Sequence, residues 1–119
     1  VLSFVASWGP YCNMELTELE ALYQEWNNNE EAVVIGVVAP DQGREISKEE
    51  LLVFMDELNI SFPILFDENG AVFNKYGVSS LPTTFVLDKN NNFYGYQSGM
   101  MSKDILERVI EDVRATYTE

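Results

Sequence analysis

Histidine is absent from this chain of 119 residues, and cysteine occurs once, at Cys12. A chain with no histidine and one thiol lacks the ligand sets that zinc sites ordinarily use. A single cysteine cannot form an intrachain disulfide, so the fold is not stabilised by disulfides. The sequence also has no glycine-rich phosphate-binding loop. We therefore expect no metal site and no cofactor.

Basic residues are also scarce, with 7 lysines and arginines against 20 acidic residues and a net charge of -13. Nucleic-acid binding requires clustered lysine and arginine side chains, so we expect no nucleic-acid partner. The same charge disfavours anionic membrane surfaces. Its simplest interpretation is a set of solvated helix faces, and the alternative is electrostatic steering of a basic partner.

Long hydrophobic runs are missing as well. The longest, such as residues 33–39, are far too short to span a membrane, so we expect no direct membrane insertion by this domain. The length and the 46% hydrophobic content predict one globular domain over residues 1–119. The chain begins inside an apolar stretch without a signal-like segment, which we interpret as N-terminal truncation of a longer protein.

The most informative stretch is the junction between an apolar, β-favouring run at residues 1–6 and a helix-period pattern that begins a few residues later. A helix N-terminus stabilises a thiolate through free backbone N–H groups and the helix dipole, which lowers the thiol pKa. Pro10 suits the first helical turn. The sequence therefore predicts Gly9 as an exposed cap residue and Cys12 about one turn inside the helix.

The remaining chain alternates between helical and extended patterns. Extended stretches are predicted at 32–39, 62–66 and 93–97, and residues 78–87 are predicted to lead into a further strand. Helices are predicted at 10–26, 47–58 and 71–76 and from 102 onwards, with residues 27–29 ending the first helix. Ser47 and Glu50 have the spacing of a capping box. The order predicts an α/β fold with a mixed sheet of four to five strands and helices on both faces.

Residues 7–16, SWGPYCNMEL, resemble the active-site segment of the thioredoxin superfamily. The resemblance is specifically to the TlpA/ResA-like thiol-disulfide oxidoreductases, whose pattern is Trp-Cys-Pro-x-Cys-x-x-Glu. Trp8, Pro10, Cys12 and Glu15 match this pattern in register, whereas Gly9 stands where the family carries its nucleophilic cysteine. The resemblance covers nearly the whole chain and implies a thioredoxin-like fold.

A second family feature is the segment LPTTF at residues 81–85. In thioredoxin-like families a cis-proline at this point lies against the active-site cysteines, and the residue before it offers backbone groups to a bound substrate strand. The resemblance therefore implies a cis Leu81-Pro82 bond, a catalytic position for Pro82, and substrate contacts for Leu81 and Thr83. The alternative is a proline that merely starts a strand.

The resemblance also implies roles for the residues of the first motif. Cys12 takes the place of the second, resolving cysteine. Glu15 is a candidate for proton transfer or for raising the thiol pKa, and the alternative is an acid favoured by the helix dipole. Trp8, Pro10 and Tyr11 are candidate substrate-binding residues at the rim, with packing as the alternative for Trp8 and Tyr11.

Thiol–disulfide exchange needs one thiolate to attack and a second to resolve the mixed disulfide. With Gly9, native or engineered, the chain cannot complete this cycle alone. We predict a monomeric, thioredoxin-like thiol-disulfide oxidoreductase domain outside the cytoplasm, periplasmic or anchored at the cell surface by a missing N-terminal segment.

The expected partners of this domain are a protein thiol or disulfide substrate and a redox donor protein. Two other functions stay open. One is a redox-inactive peptide-binding module. The other is a one-cysteine peroxidase, in which the lack of a side chain at Gly9 leaves the Cys12 sulfur less covered.

Overall fold

A computed structural model describes residues 1–26 and 33–116. The elements among these residues are β1 (Leu2–Phe4), α1 (Pro10–Trp26), β2 (Ile35–Val38), α2 (Lys48–Glu57), β3 (Ile64–Phe66), α3 (Ala71–Lys75), β4 (Thr83–Leu87), β5 (Phe93–Ser98) and α4 (Lys103–Thr116). The predicted helix end at 27–29 and the predicted strand start at 32 lie outside the described residues.

The strands form one mixed sheet in the order β3-β2-β1-β4-β5. β2 runs parallel to both β1 and β3, whereas β4 is antiparallel to β1 and β5 is antiparallel to β4. Parallel neighbours need crossover connections, and α1 and α2 supply them. The predicted α/β class and mixed sheet are confirmed, and the extended stretch at 62–66 contributes the fifth strand.

Helices cover both faces of the sheet, and successive side chains at the end of β1 point to opposite faces and reach different helices. Val5 faces the main hydrophobic core. Side chains of α1, α2 and α4 fill this core, among them Leu16, Leu19, Leu22, Leu51, Met55, Leu106 and Ile110. Phe4 faces the other side, with its ring centroid 4.9 Å from that of Phe73 in α3 and 5.6 Å from that of Phe85 in β4. Each fully buried side chain of this size contributes about 1.5–3 kcal/mol to stability.

Local sequence signals account for several element ends. The capping box is confirmed: the Ser47 hydroxyl accepts from the Glu50 N–H, and the Glu50 carboxylate accepts from the Ser47 N–H. Gly77 follows α3 with φ of 66°, a left-handed conformation that glycine adopts without a Cβ penalty. Within residues 1–26 and 33–116, no helix combines the length and the hydrophobicity that crossing a membrane requires.

Candidate functional site

The turn from β1 into α1 carries the single cysteine. The Gly9 carbonyl accepts the Asn13 N–H at 3.1 Å, so Gly9 is the cap residue and Cys12 lies in the first helical turn, as predicted. The expectation that position 9 is exposed is wrong. Gly9 is buried, whereas its neighbours Trp8 and Pro10 are exposed.

Position 9 has the geometry of a disulfide partner for Cys12. A Cβ built on Gly9 lies 3.8 Å from the Cys12 Cβ and 3.5 Å from its Sγ. The two Cβ atoms of a disulfide are about 3.5–4.5 Å apart, with a mean near 3.8 Å. Gly9 is not among the glycines with positive φ, so its backbone admits other residues. In the described part of the chain, a Cβ at this position contacts only Cys12.

The Cys12 thiol is free and 1% exposed. Burial raises its pKa, a backbone hydrogen bond with Ala6 acts in the opposite direction, and the carboxylates of Glu15 and Glu45 raise it further. At this depth in the helix, burial therefore outweighs the thiolate-stabilising effect of the helix N-terminus. The expectation that Gly9 leaves the sulfur less covered is wrong.

Glu15 lies one helical turn after Cys12 and is completely buried. Three donors from different parts of the chain hold its carboxylate. The Ser3 hydroxyl donates to Oε2 at 3.1 Å, and Oε1 accepts the Met101 N–H at 2.9 Å and the Thr84 hydroxyl at 3.3 Å. The Glu15 carboxyl group, on α1, is therefore hydrogen-bonded to β1, to β4 and to the segment that precedes α4.

Burial raises the pKa of Glu15 above its ordinary value, and the hydrogen bonds from Met101, Ser3 and Thr84 only partly oppose this effect. A buried carboxyl group with a raised pKa has the properties of an internal proton donor or acceptor. In addition, the ionised form of Glu15 disfavours the Cys12 thiolate. Ser3 and Thr84 were not predicted as site residues, because nothing in the sequence links them to Glu15.

Pro82 lies at the same edge of the sheet as the β1–α1 turn. Phe4 at the end of β1 is opposite Thr83 at the start of the antiparallel β4, so both motifs meet there. The Leu81-Pro82 bond is cis, as expected, and Pro82 is buried. Its carbonyl accepts the Gly99 N–H at 2.8 Å. Leu81 packs against the core cluster that contains Cys12.

The candidate rim residues are at the surface. Trp8 is 46% exposed and Tyr11 64% exposed, and Pro10 is exposed between Gly9 and Tyr11. Thr83, by contrast, is buried, and its hydroxyl donates to the Ser80 carbonyl at 2.6 Å. Trp8, Pro10 and Tyr11 therefore form an exposed apolar surface at the N-terminus of α1 that can contact a partner. The buried Thr83 side chain instead stabilises the local backbone.

The loop after β2 adds two residues that the sequence did not indicate. The Glu45 carboxylate accepts hydrogen bonds from Ser7, and the Arg44 guanidinium lies 5.3 Å from the centre of the Trp8 ring. The loop is polar and distant in sequence from the motif, so no pattern marked it as part of the site. For residues 1–26 and 33–116, no group of three or more acidic, cysteine or histidine side chains suited to a metal is found.

Comparison with known proteins adds a family and several relatives. The model of the AhpC/TSA family matches residues 1–94. The thiol-disulfide oxidoreductase ResA of Geobacillus kaustophilus is 31% identical over 114 residues, which is 95% of this chain and 62% of that protein. The thioredoxin-like protein YneN of Bacillus subtilis is 28% identical over 93% of this chain and 62% of its own length. This chain thus spans less than two thirds of these relatives.

Solved structures agree with the fold. The exposed lipoprotein thioredoxin Etrx1 of Streptococcus pneumoniae superimposes with a TM-score of 0.82 at 28% identity, covering 93% of this chain and 82% of that one. StoA of Bacillus subtilis gives a TM-score of 0.78 at 23% identity, covering 92% and 78%. The predicted thioredoxin-like fold is confirmed.

Proposed function

Since this chain belongs to the AhpC/TSA family, we propose that it is a thioredoxin-like domain for thiol–disulfide exchange with protein substrates, and that it lacks the attacking cysteine at position 9. The relatives named ResA are thiol-disulfide oxidoreductases by name, at up to 31% identity. With a single thiol the chain does not complete a dithiol cycle alone.

One observation carries this proposal. The Cβ position of residue 9 lies 3.8 Å from the Cys12 Cβ, at the mean separation in disulfides, although no thiol is present there. This separation supports the proposal, because a thiol on residue 9 would lie within bonding reach of the Cys12 sulfur. Gly9 therefore marks the place of the missing nucleophile, and Cys12 is the resolving thiol.

The other proposed roles follow from the site's arrangement. Glu15 exchanges a proton with the Cys12 thiol, and Pro82 forms the wall of the site on the β4 side. Trp8, Pro10, Tyr11 and Leu81 contact an extended substrate segment. Thr83 contributes indirectly, because its hydroxyl bonds to the Ser80 carbonyl and holds the backbone next to Pro82.

We further propose a location outside the cytoplasm, as a monomeric domain of a longer protein. The matched Streptococcus pneumoniae protein is described as an exposed lipoprotein, and a matched Mycobacterium tuberculosis disulfide oxidoreductase as secreted. A separate redox protein would supply or remove electrons.

Two other functions compete with this one. The exposed Trp8 and Tyr11 rings favour a redox-inactive module that binds extended peptides. A one-cysteine peroxidase agrees with the family match, but the burial and the raised pKa of the Cys12 thiol disfavour direct attack on peroxide.

A glutathione redox titration of the Gly9→Cys chain separates these functions. We expect one reversible two-electron transition from a reduced chain with two free thiols to an oxidised chain with a 9–12 disulfide and no free thiol. Thiol trapping measures it. The Gly9→Ser chain should show no such transition. Only mixed disulfides with glutathione would contradict the oxidoreductase scaffold and favour the peptide-binding module. Peroxide consumption by the parent chain that disappears in Cys12→Ser would favour the peroxidase.

A further inference from the structure

The loop after β2, residues 39–46, has a defined shape of its own. The Asp41 N–H donates to the Ile46 carbonyl at 3.0 Å, and the Glu45 N–H donates to the Gln42 carbonyl at 2.9 Å. The Gln42 side chain also donates to the Glu68 carbonyl at 3.4 Å, which ties the loop to the turn after β3. The loop therefore presents the Glu45 side chain from a fixed backbone.

The Glu45 carboxylate is occupied entirely by donors at the base of the thiol site. Its Oε2 accepts the Ser7 N–H at 2.9 Å, and its Oε1 accepts the Ser7 hydroxyl and, at 2.9 Å, the Ile46 N–H. Of the ion pairs between described residues, none includes Glu45. The Glu45 carboxylate is thus hydrogen-bonded to Ser7 and to the Ile46 backbone and forms no ion pair with a described cation.

Ser7 lies between two fixed points of the β1–α1 turn. On one side, the Val5 N–H donates to the Val37 carbonyl at 3.0 Å and ties the chain to β2. On the other side, Gly9 caps α1 through its bond with Asn13. Among the described residues, 6–8 make no strand-ladder or helix hydrogen bond, and the double contact of Glu45 with Ser7 is their hydrogen-bonded link to the loop after β2.

We propose that Glu45 is a positioning residue of the thiol site, which through Ser7 holds Gly9 at disulfide distance from Cys12. This inference rests on the proposed function, because the spacing matters only if a second thiol or a substrate sulfur occupies that slot. Arg44 supports the same arrangement by packing over the Trp8 ring.

The charge of Glu45 has a second consequence for the thiol. Two carboxylates act on Cys12, Glu15 from its own helix and Glu45 from the loop, and both raise its pKa. Arg44, the cation of the same loop, lies over Trp8. Burial is the main cause of the raised Cys12 pKa, and the Glu45 charge adds to it, so removal of that charge is expected to lower the pKa.

The test begins with a titration of Cys12 by NMR in chains labelled with [¹³Cβ]cysteine, which give one signal because there is one cysteine. We expect the Glu45→Gln chain to titrate at lower pH than the parent. The control Asp41→Asn removes an equal charge from the same loop, and asparagine tolerates its φ of 61°. This control should titrate like the parent.

The second measurement uses the Gly9→Cys background and the equilibrium constant for forming its disulfide from oxidised glutathione. We expect Glu45→Gln and Ser7→Ala each to lower this constant about tenfold, because each weakens charge-assisted hydrogen bonds that hold the turn. Asp41→Asn should leave it unchanged. Circular dichroism establishes that all variants are folded.

Three outcomes would overturn the role of Glu45. The first two are an unchanged Cys12 titration in Glu45→Gln and equal effects of Glu45→Gln and Asp41→Asn on that titration. An unchanged disulfide constant in a Gly9→Cys chain that forms its disulfide would also overturn it, while leaving the proposed function intact. The titration needs no second thiol. It therefore tests whether the Glu45 side chain acts on Cys12 even if the Gly9→Cys chain forms no disulfide and the proposed function fails.

Discussion

The Gly9→Cys chain is expected to catalyse the reduction of insulin disulfides by dithiothreitol. After subtraction of the uncatalysed rate, its rate should exceed that of the parent chain by at least about 100-fold. The introduced thiol attacks one insulin sulfur and releases the other as a thiol. The Cys12 thiolate then attacks the sulfur at position 9, releases the second insulin thiol and forms the 9–12 disulfide, which dithiothreitol reduces. The large effect arises because this second attack is intramolecular between groups already in contact.

The parent chain lacks the first of these steps, because its only thiol is 1% exposed and has a raised pKa. The rate of insulin B-chain precipitation measures the effect. Gly9→Ser is the matched control, since serine occupies the same slot without a thiol. Without dithiothreitol, Gly9→Cys combined with Cys12→Ser should stop at a trapped mixed disulfide with insulin, because no second thiol resolves it. If the Gly9→Cys chain precipitates insulin no faster than Gly9→Ser, the scaffold is not one for dithiol exchange.

Loss of the Glu15 carboxyl group is expected to produce the largest change in stability among the site residues. Glu15→Ala removes the acceptor for the Ser3 hydroxyl, the Thr84 hydroxyl and the Met101 N–H. The two hydroxyls are 3.4 Å apart and can pair with each other, but the Met101 N–H is left unsatisfied beside a new cavity. We expect a loss of about 2–4 kcal/mol in the free energy of unfolding, measured by urea denaturation.

Glu15→Gln is the matched variant, because it keeps an acceptor oxygen of the same reach. It also isolates the effect of ionisation. The folded-state pKa of Glu15 is raised, so between the ordinary carboxyl value of 4.5 and the raised value the folded chain binds more protons than the unfolded chain. This contribution to the parent's stability is complete below pH 4.5 and is lost as pH rises through the folded pKa.

The stability difference between the parent and Glu15→Gln should therefore change with pH in that window, to the disadvantage of the parent at higher pH. Other carboxyl groups titrate in both chains and cancel in the comparison. A difference that stays constant above pH 4.5 would mean that burial does not raise the pKa of the Glu15 carboxyl group.

Much of the fold was predictable because local signals and tertiary structure agree. The three-residue spacing of Leu16, Leu19 and Leu22 predicted the first helix. The Ser47–Glu50 capping box predicted where the second helix begins. The electrostatics of the site were not predictable in the same way. The helix N-terminus favours a thiolate in general, but the sequence does not show how completely Cys12 is buried or how far burial outweighs that effect.

The supporting contacts of the site also escaped the sequence pattern. Glu45 reaches Ser7 across 38 positions of sequence, and Met101 reaches Glu15 across 86. Such pairs depend on how loops come together at one edge of the sheet, and no periodicity or spacing encodes that. The cysteine and proline motifs were found because each carries its own local sequence.

The most direct test of the central claim is a crystal structure of the oxidised Gly9→Cys chain. The claim predicts a disulfide between positions 9 and 12, with the backbone of residues 7–12 and the Glu45 contacts to Ser7 as described here. Two unbonded sulfurs, or a bond formed only after this turn has moved away from Glu45, would contradict it.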